Sequence, residues 1–318
     1  MISLIMKEKT KGLIQMKRLV GFSIGHLQNT LGDRKTLEIA AQIGADAVDF
    51  ALHHRTNDYR RSNSLYSQGE EAIVRYYTDL RDYAHSLGLI ISQTHGKLEG
   101  FRNIPAEDDA LVENTRLDCI ATAALGAPVC VVHTTTTIHM GPDAPAELMH
   151  RLNMDMFRRI LPFAKENGIR IATETFGDAT GLNCVDFFGD YEQFHKAYRD
   201  VKAIEELKDY LTICMDTGHT NKATRFGSPS SAEVIRRLGS EITILHLNDN
   251  DTLTDQHKIP MTGTLNWKDI LDALDEIGYS GVYNMELNLR HFGEEMAVET
   301  AAFAIKVMRH MLKSRYGE

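Results

Sequence analysis

Several scarcities narrow the chain's identity before any motif is considered. The four cysteines, Cys119, Cys130, Cys184 and Cys214, form no CxxC pair. That spacing excludes a disulfide scaffold and a thiolate zinc site. Cys130 and Cys214 sit inside apolar runs and read as small buried hydrophobes, which makes a reducing cytoplasm the expected compartment. Positive charge is short as well: 35 Lys and Arg stand against 44 Asp and Glu, a formal net charge of -9. This argues against non-specific nucleic-acid binding, which rests on cationic contacts to phosphates. No uninterrupted apolar run approaches the ~20 residues of a membrane span. The first residues, MISLIMKEKTKGLIQMKR, lack a sustained apolar segment and a small-residue cleavage site, so no signal peptide is expected. Residues 1–15 read as an N-terminal extension, expected to be partly disordered, ahead of a domain over 16–318. The chain also lacks a Pro/Gly/Ser-rich linker and, after its first apolar run, a GxGxxG phosphate turn.

What is present is a repeating theme: a helical pattern, a glycine, then a short apolar strand. AAQIGADAVDF, AHSLGLIISQTH, AALGAPVCVVH, AKENGIRIATE and DEIGYSGVYNME all have this form. Glycine suits the left-handed position that ends a helix, and the β-branched run after it prefers extended chain. The pattern predicts eight strands near 18–24, 47–51, 89–94, 129–133, 169–174, 211–216, 242–246 and 282–286. Helices are expected near 34–43, 70–87, 107–126, 146–167, 190–208, 230–239, 267–277 and 293–314. Eight alternating units imply a single-domain α/β protein, a (β/α)8 TIM barrel; the missing phosphate turn disfavours a doubly wound sheet. Loops after strands two, three, four, six and seven read as long and polar.

Nine potential metal ligands lie at or just beyond these strand ends: His95, His133, Glu174, Asp216, His219, His246, Asp255, His257 and Glu286. In a β/α barrel the strand ends converge on one rim, where active sites are built. Each residue alone has a duller explanation. A buried histidine is usually a hydrogen-bonded core residue, and a strand-end Asp or Glu often caps the next helix. The set is what argues for function, because ionised carboxylates are rarely buried without partners. Carboxylates mixed with imidazoles suit Zn²⁺, Mn²⁺ or Co²⁺. His139, His150, His195 and His310 fall outside the pattern. The segment HHRTNDYRRSNSLYSQGE, with Arg55, Arg60, Arg61, Tyr59 and Tyr66, reads either as a solvated loop or as a lid over an anionic or polyhydroxylated substrate.

The motifs ETFGD, CMDTGH, HLND, DQH followed by PMTGTLNW, and GYSGVYNMEL resemble the xylose isomerase-like TIM barrel superfamily over most of the chain. That superfamily holds sugar isomerases and epimerases, inosose dehydratases and the endonuclease IV repair enzymes. Resemblance to the epimerase branch implies one divalent metal ion (Mn, Mg, Co or Zn) on Glu174, Asp216, His246 and Glu286. Glu174 and Glu286 would then also be the acid and base that move a proton next to a carbonyl, through a cis-enediolate. His219 and His257 would orient hydroxyls or a phosphate. Resemblance to the endonuclease IV branch implies up to three zinc ions. One would sit on His95, His133 and Glu174, a second on Glu174, Asp216, His246 and Glu286, and a third on His219, Asp255 and His257.

The sequence departs from both patterns. Lys97, Leu98 and Glu99 stand where the repair enzymes carry a Tyr-Leu probe, and His133 is followed by TTTT rather than a Pro-Gly turn. NDNDT lacks the arginine that ketose epimerases place there, and TFGDATG lacks their second acidic contact unless Asp178 supplies it. Lys97, Arg225 and Arg290 are the candidate contacts for a phosphate or carboxylate. The resulting expectation is a cytoplasmic metal-dependent isomerase or epimerase, or a related dehydratase, acting on a sugar, sugar phosphate or polyol, with a homodimer as the default assembly. The alternative is a trinuclear-zinc phosphodiesterase. A non-catalytic barrel is disfavoured because a binding module needs no paired Glu174 and Glu286.

Overall fold

A computed structural model describes residues 18–53 and 57–317. The expectation for residues 1–15 therefore lies outside the described residues. Eight parallel strands form the barrel: β1 (Val20–Ser23), β2 (Ala47–Ala51), β3 (Ile90–His95), β4 (Val129–Val132), β5 (Arg170–Glu174), β6 (Leu211–Asp216), β7 (Ile242–His246) and β8 (Tyr283–Met285). Each lies within two residues of its expected bounds. Neighbours pair in chain order from β1 to β7, and β8 pairs with β1. The ring closes between β7 and β8 through the parallel bridge Leu247–Met285. Strands β4 and β6 are buried at every residue, as expected where helices cover the outside and side chains fill the inside.

Strand periodicity then places the rim. Val129, Val131, Ala172, Cys214 and Ile244 form a small apolar cluster separate from the main core. Side chains alternate faces along a strand, so this inward-facing set fixes which later residues face the barrel axis. Two residues beyond Val131, Ala172, Cys214 and Ile244 come His133, Glu174, Asp216 and His246. The polar groups therefore stand directly above an apolar plug.

The long helices are α2 (Asp33–Gln42), α3 (Glu70–Ser86), α4 (Pro105–Ala124), α5 (Ala146–Glu166), α6 (Tyr191–Lys202), α8 (Ser231–Leu238), α9 (Trp267–Glu276) and α10 (Ala297–Tyr316). Helix α6 is shorter than the sequence suggests. It stops at Lys202, whose ammonium turns onto the Leu211 carbonyl and Glu241, and residues 203–210 lead back into β6. Three short helices were not anticipated: α1 (Gly25–Leu31), α7 (Thr217–Ala223) and a single turn at Thr137–Met140. The segment after β6, expected to be a polar loop, is helix α7 because Asp216 caps it through the His219 amide at 2.6 Å. Among the described residues, no helix is long and apolar enough to cross a membrane.

The connection from β7 to α9 carries Asp255 and His257 and is tied at both ends to Asp249, which is fully buried. Its Oδ1 accepts from the amides of Asn250 (2.9 Å) and Leu265 (3.2 Å), and its Oδ2 accepts from the Trp267 indole N–H at 2.8 Å. The chain's single tryptophan thus closes the loop that holds two candidate ligands. Trp267→Phe leaves a buried carboxylate oxygen without its donor and should cost about 1–3 kcal/mol in urea denaturation. A loss indistinguishable from zero would show that the indole bond does not fasten this loop.

Candidate metal centre

Glu174, at the end of β5, is the hub of the rim. Its Oε1 lies 3.2 Å from His246 Nδ1 and 3.3 Å from His219 Nδ1. Its Oε2 lies 3.1 Å from His133 Nε2 and 3.4 Å from His95 Nε2. Four imidazoles from four different strand ends therefore surround one carboxylate. Glu286, just past β8, reaches the same centre, with Oε2 3.3 Å from His246 Nδ1 and 3.6 Å from His257 Nδ1. The Glu174 side chain is 1% exposed and that of Glu286 is 23%, so one closes the floor and the other opens to the rim.

The ring nitrogens are sorted by their second partners. His95, His219 and His257 each place Nδ1 3.1 Å from a backbone carbonyl, those of Gly96, Thr175 and Glu286. A carbonyl only accepts, so Nδ1 carries the proton and Nε2 is the atom left for a ligand. His246 is reversed: its Nε2 faces Asp49 Oδ2 at 3.0 Å and its Nδ1 faces the glutamates. Asp49 in turn accepts from Ser23 Oγ at 2.5 Å. Asp216 uses Oδ1 to cap α7 and Oδ2 to accept from Asn248 Nδ2 at 2.8 Å. Gly218 makes that approach possible, because a Cβ there would lie 1.8 Å from Asn248 Oδ1.

Except at Asp216, which burial pushes up, the electrostatics are those of carboxylates and imidazoles holding one another charged. Burial alone would raise Glu174, but the imidazoles of His246, His133 and His219 hold it well below the usual carboxylate range. Burial likewise opposes charge on His219, yet Asp216 and Asp255 push it well above an ordinary histidine. His257 is raised to about 9 against burial, chiefly by its bond to Asp255. His246 is also raised well above normal, with Glu286 and Glu174 among the groups that overcome its burial. Protons here occupy the place a cation would take.

The nine ligands expected from the sequence are all brought into this rim. They form overlapping sets with mutual donor distances within 4.8 Å: His95, His133 and Glu174; His95, His246 and Glu286; Glu174, Asp216, His246 and Glu286; and His219, Asp255 and His257. The donor chemistry fits a divalent ion. Glu174 Oε2 is buried and makes no hydrogen bond, although His133 Nε2 and His95 Nε2 lie 3.1 and 3.4 Å from it, so its lone pairs are available.

Other expected contacts are diverted elsewhere. Arg60 pairs with Asp58 and Glu107, and Tyr66 is buried with its hydroxyl donating to Asp118 at 2.6 Å. Arg225 pairs with Asp178, so neither is free to take a substrate anion or replace the missing acidic contact. Arg55 lies outside the described residues. Three neighbours of the site were not foreseen: Asp49, His53 and Lys222. His53 packs edge-on against His95 with ring centroids 5.5 Å apart. Asp49 had a signal, an acidic residue inside the otherwise apolar AVDFA strand. An open cleft of about 850 Å³ adjoins His53 and is lined by Gln28, Asn29, Asn57, Asn63 and Tyr76 among others.

The sequence is 26% identical over 219 residues to an uncharacterised protein of Methanocaldococcus jannaschii, an alignment covering 67% of this chain and 68% of that one. Among solved structures, a D-psicose 3-epimerase determined in the presence of D-fructose superposes with a TM-score of 0.69 at 18% identity, covering 92% of this chain and 99% of that one. The IOLI protein, which has a bound zinc atom, superposes with a TM-score of 0.67 at 18% identity, covering 93% and 97%. At such identities these superpositions speak for the fold. The sequence pattern of the family itself spans residues 37–309, and the chain belongs to the xylose isomerase-like TIM barrel family.

Proposed function

We propose that the protein is a divalent-metal-dependent isomerase or epimerase, or a related dehydratase, that moves a proton next to the carbonyl of a sugar, sugar phosphate or polyol-derived ketone. The observation that carries this reading is the convergence of two glutamates on one imidazole nitrogen: Glu174 and Glu286 lie 3.2 and 3.3 Å from His246 Nδ1. Glu174, Asp216, His246 and Glu286 would hold the ion, which supplies Lewis-acid stabilisation of negative charge developing on a substrate oxygen. The similar D-psicose 3-epimerase and the zinc-containing IOLI protein support this choice of chemistry and of a metal.

The chain's own groups divide the remaining work. Glu286 presents its open edge to the rim and removes the proton from the carbon beside the carbonyl. The electron pair of that C–H bond becomes the C=C bond and the carbonyl π pair moves onto oxygen, giving an enediolate. Glu174 relays a proton from the charged imidazole of His219, 3.3 Å away, to the opposite face of the same carbon in an epimerase, or to the neighbouring carbon in an isomerase as a hydroxyl proton shifts between the two oxygens. His257 and His219 orient substrate hydroxyls. The cleft beside His53 leaves room for the rest of a polyhydroxylated molecule. The buried floor excludes water, which raises the strength of these weak bases.

A trinuclear-zinc phosphodiesterase is the second reading, and one observation favours it: the nine residues group into the sets that three ions would need. The net charge of -9 counts against a nucleic-acid substrate. Metal-loaded protein incubated with ketoses and sugar phosphates in D₂O should wash deuterium into the carbon next to the carbonyl, read by NMR. Glu286→Gln and Glu174→Gln should each slow this exchange by about 10²–10⁴-fold. Cleavage of an abasic-site duplex with no exchange on any ketose would overturn the proton-transfer reading and install the second.

Metal uptake should also depend on pH. His246, the imidazole of the proposed metal set, is raised well above an ordinary histidine and holds its proton at neutral pH. A cation must displace that proton, so affinity for Zn²⁺ or Co²⁺ should rise as pH is raised above neutrality, with net proton release. Calorimetry in two buffers of unlike ionisation enthalpy checks this. Affinity independent of pH, with no protons released, would contradict the assignment.

A further inference from the structure

Lys222 is a lysine where the surroundings call for a metal. It lies on α7, six residues beyond Asp216, and its side chain is only 3% exposed. Its Nζ is 2.6 Å from Asp178 Oδ1 and 3.3 Å from Asp255 Oδ1. Arg225 takes the other oxygen of Asp178 at 3.0 Å, so Asp178 is already matched. The second carboxylate within reach of Lys222 is Asp255, the single acidic member of the His219–Asp255–His257 set. Asp255 Oδ2 faces His257 Nε2 at 3.3 Å and His219 Nε2 at 3.7 Å.

The two candidate cation positions on this rim therefore differ in kind. At Glu174, Asp216 and Glu286 the ion-pair partners are imidazoles, which give up protons to a metal. At Asp255 the imidazoles on Oδ2 are joined on Oδ1 by an ammonium built into a helix and held from behind by Asp178. A divalent ion on His219, Asp255 and His257 would share a single carboxylate with that ammonium. Like charges a few ångströms apart repel, and Lys222, only 3% exposed, cannot move off without leaving Asp178 Oδ1 unpaired.

We propose that Lys222 occupies the third cation position, so that His219, Asp255 and His257 form a metal-free polar cluster while the metal is confined to the Glu174-centred sets. This rests on the reading of the Glu174 cluster as the metal centre. It also gives Asp255 a definite set of partners: Lys222 on Oδ1, with His257 and His219 facing Oδ2. The cluster then offers imidazole N–H donors and a carboxylate acceptor to neutral hydroxyl oxygens. It does not offer a second Lewis acid to bridge a phosphodiester.

The test is metal stoichiometry on the full-length chain, measured by elemental analysis and by titration with Zn²⁺ and with Co²⁺, whose visible absorption separates distinct sites. The wild type is expected to bind no ion that Asp255→Asn removes. Lys222→Met is expected to gain one additional ion, or to bind it at least about 10-fold more tightly, and Asp255→Asn in that background should abolish the gain. Because Lys222→Met leaves Asp178 Oδ1 without its partner, the Lys222→Met/Asp178→Asn pair is measured alongside as the charge-balanced variant, and the same gain is expected of it. A wild-type ion lost on Asp255→Asn would overturn the proposal. So would unchanged stoichiometry and affinity in both Lys222 variants. Failure of the functional reading looks different: the Glu174 cluster would take no metal, or Glu286→Gln would leave proton exchange intact, whatever the Lys222 variants do.

Discussion

One buried carboxylate organises this protein's rim. Glu174 sits at the end of a strand with almost no contact with water, a position where an ionised group cannot remain without compensation. Four imidazoles supply that compensation, and each comes from a different segment: His95 from β3, His133 from just beyond β4, His219 from α7 and His246 from β7. Barrel closure is what brings them together. The same charges that stabilise Glu174 make the cluster a set of groups ready to exchange protons for a cation. Electrostatic stability and chemical capacity are here one property of one arrangement.

Around that centre a second layer fixes orientation. Backbone carbonyls at Gly96, Thr175 and Glu286 choose the ring nitrogen that faces inward, and Asp49 makes the opposite choice for His246. Asn248 and the bare backbone at Gly218 hold Asp216. His257 is presented from a loop in which it adopts a positive φ of 46°. Such backbone is tolerated where neighbours over-determine it, as Asp249 and Trp267 do at the two ends of this loop.

The barrel was largely readable from local pattern. Glycine stops followed by apolar runs marked five of the strands and apolar runs alone the other three, each to within two residues, because a parallel strand covered on both faces must be apolar. All nine candidate ligands were readable for a related reason: polar groups at the ends of such strands have only the rim to occupy. The short helices α1 and α7 escaped notice because seven residues carry little periodicity; α1 has no side-chain cap, and the Asp216 cap of α7 is a strand-end carboxylate that reads equally as a ligand. The expected end of α6 overshot because Lys202 and the turn back into β6, not helix propensity, decide it.

What the sequence determined by itself was the alternation of strands and helices, the identity of the candidate ligands and the side of each strand they occupy, since side-chain direction follows from a period of two. Tertiary structure decided which charges meet. Lys222 looks like an ordinary helix lysine in TGHTNKA, yet it is buried between Asp178 and Asp255 from two other loops. Arg60, Arg225 and Tyr66 looked available for substrate, yet each is used up by a partner distant in the chain. Periodicity is local and survives in the sequence. Charge pairing acts through space across the closed ring, and only folding assigns the partners.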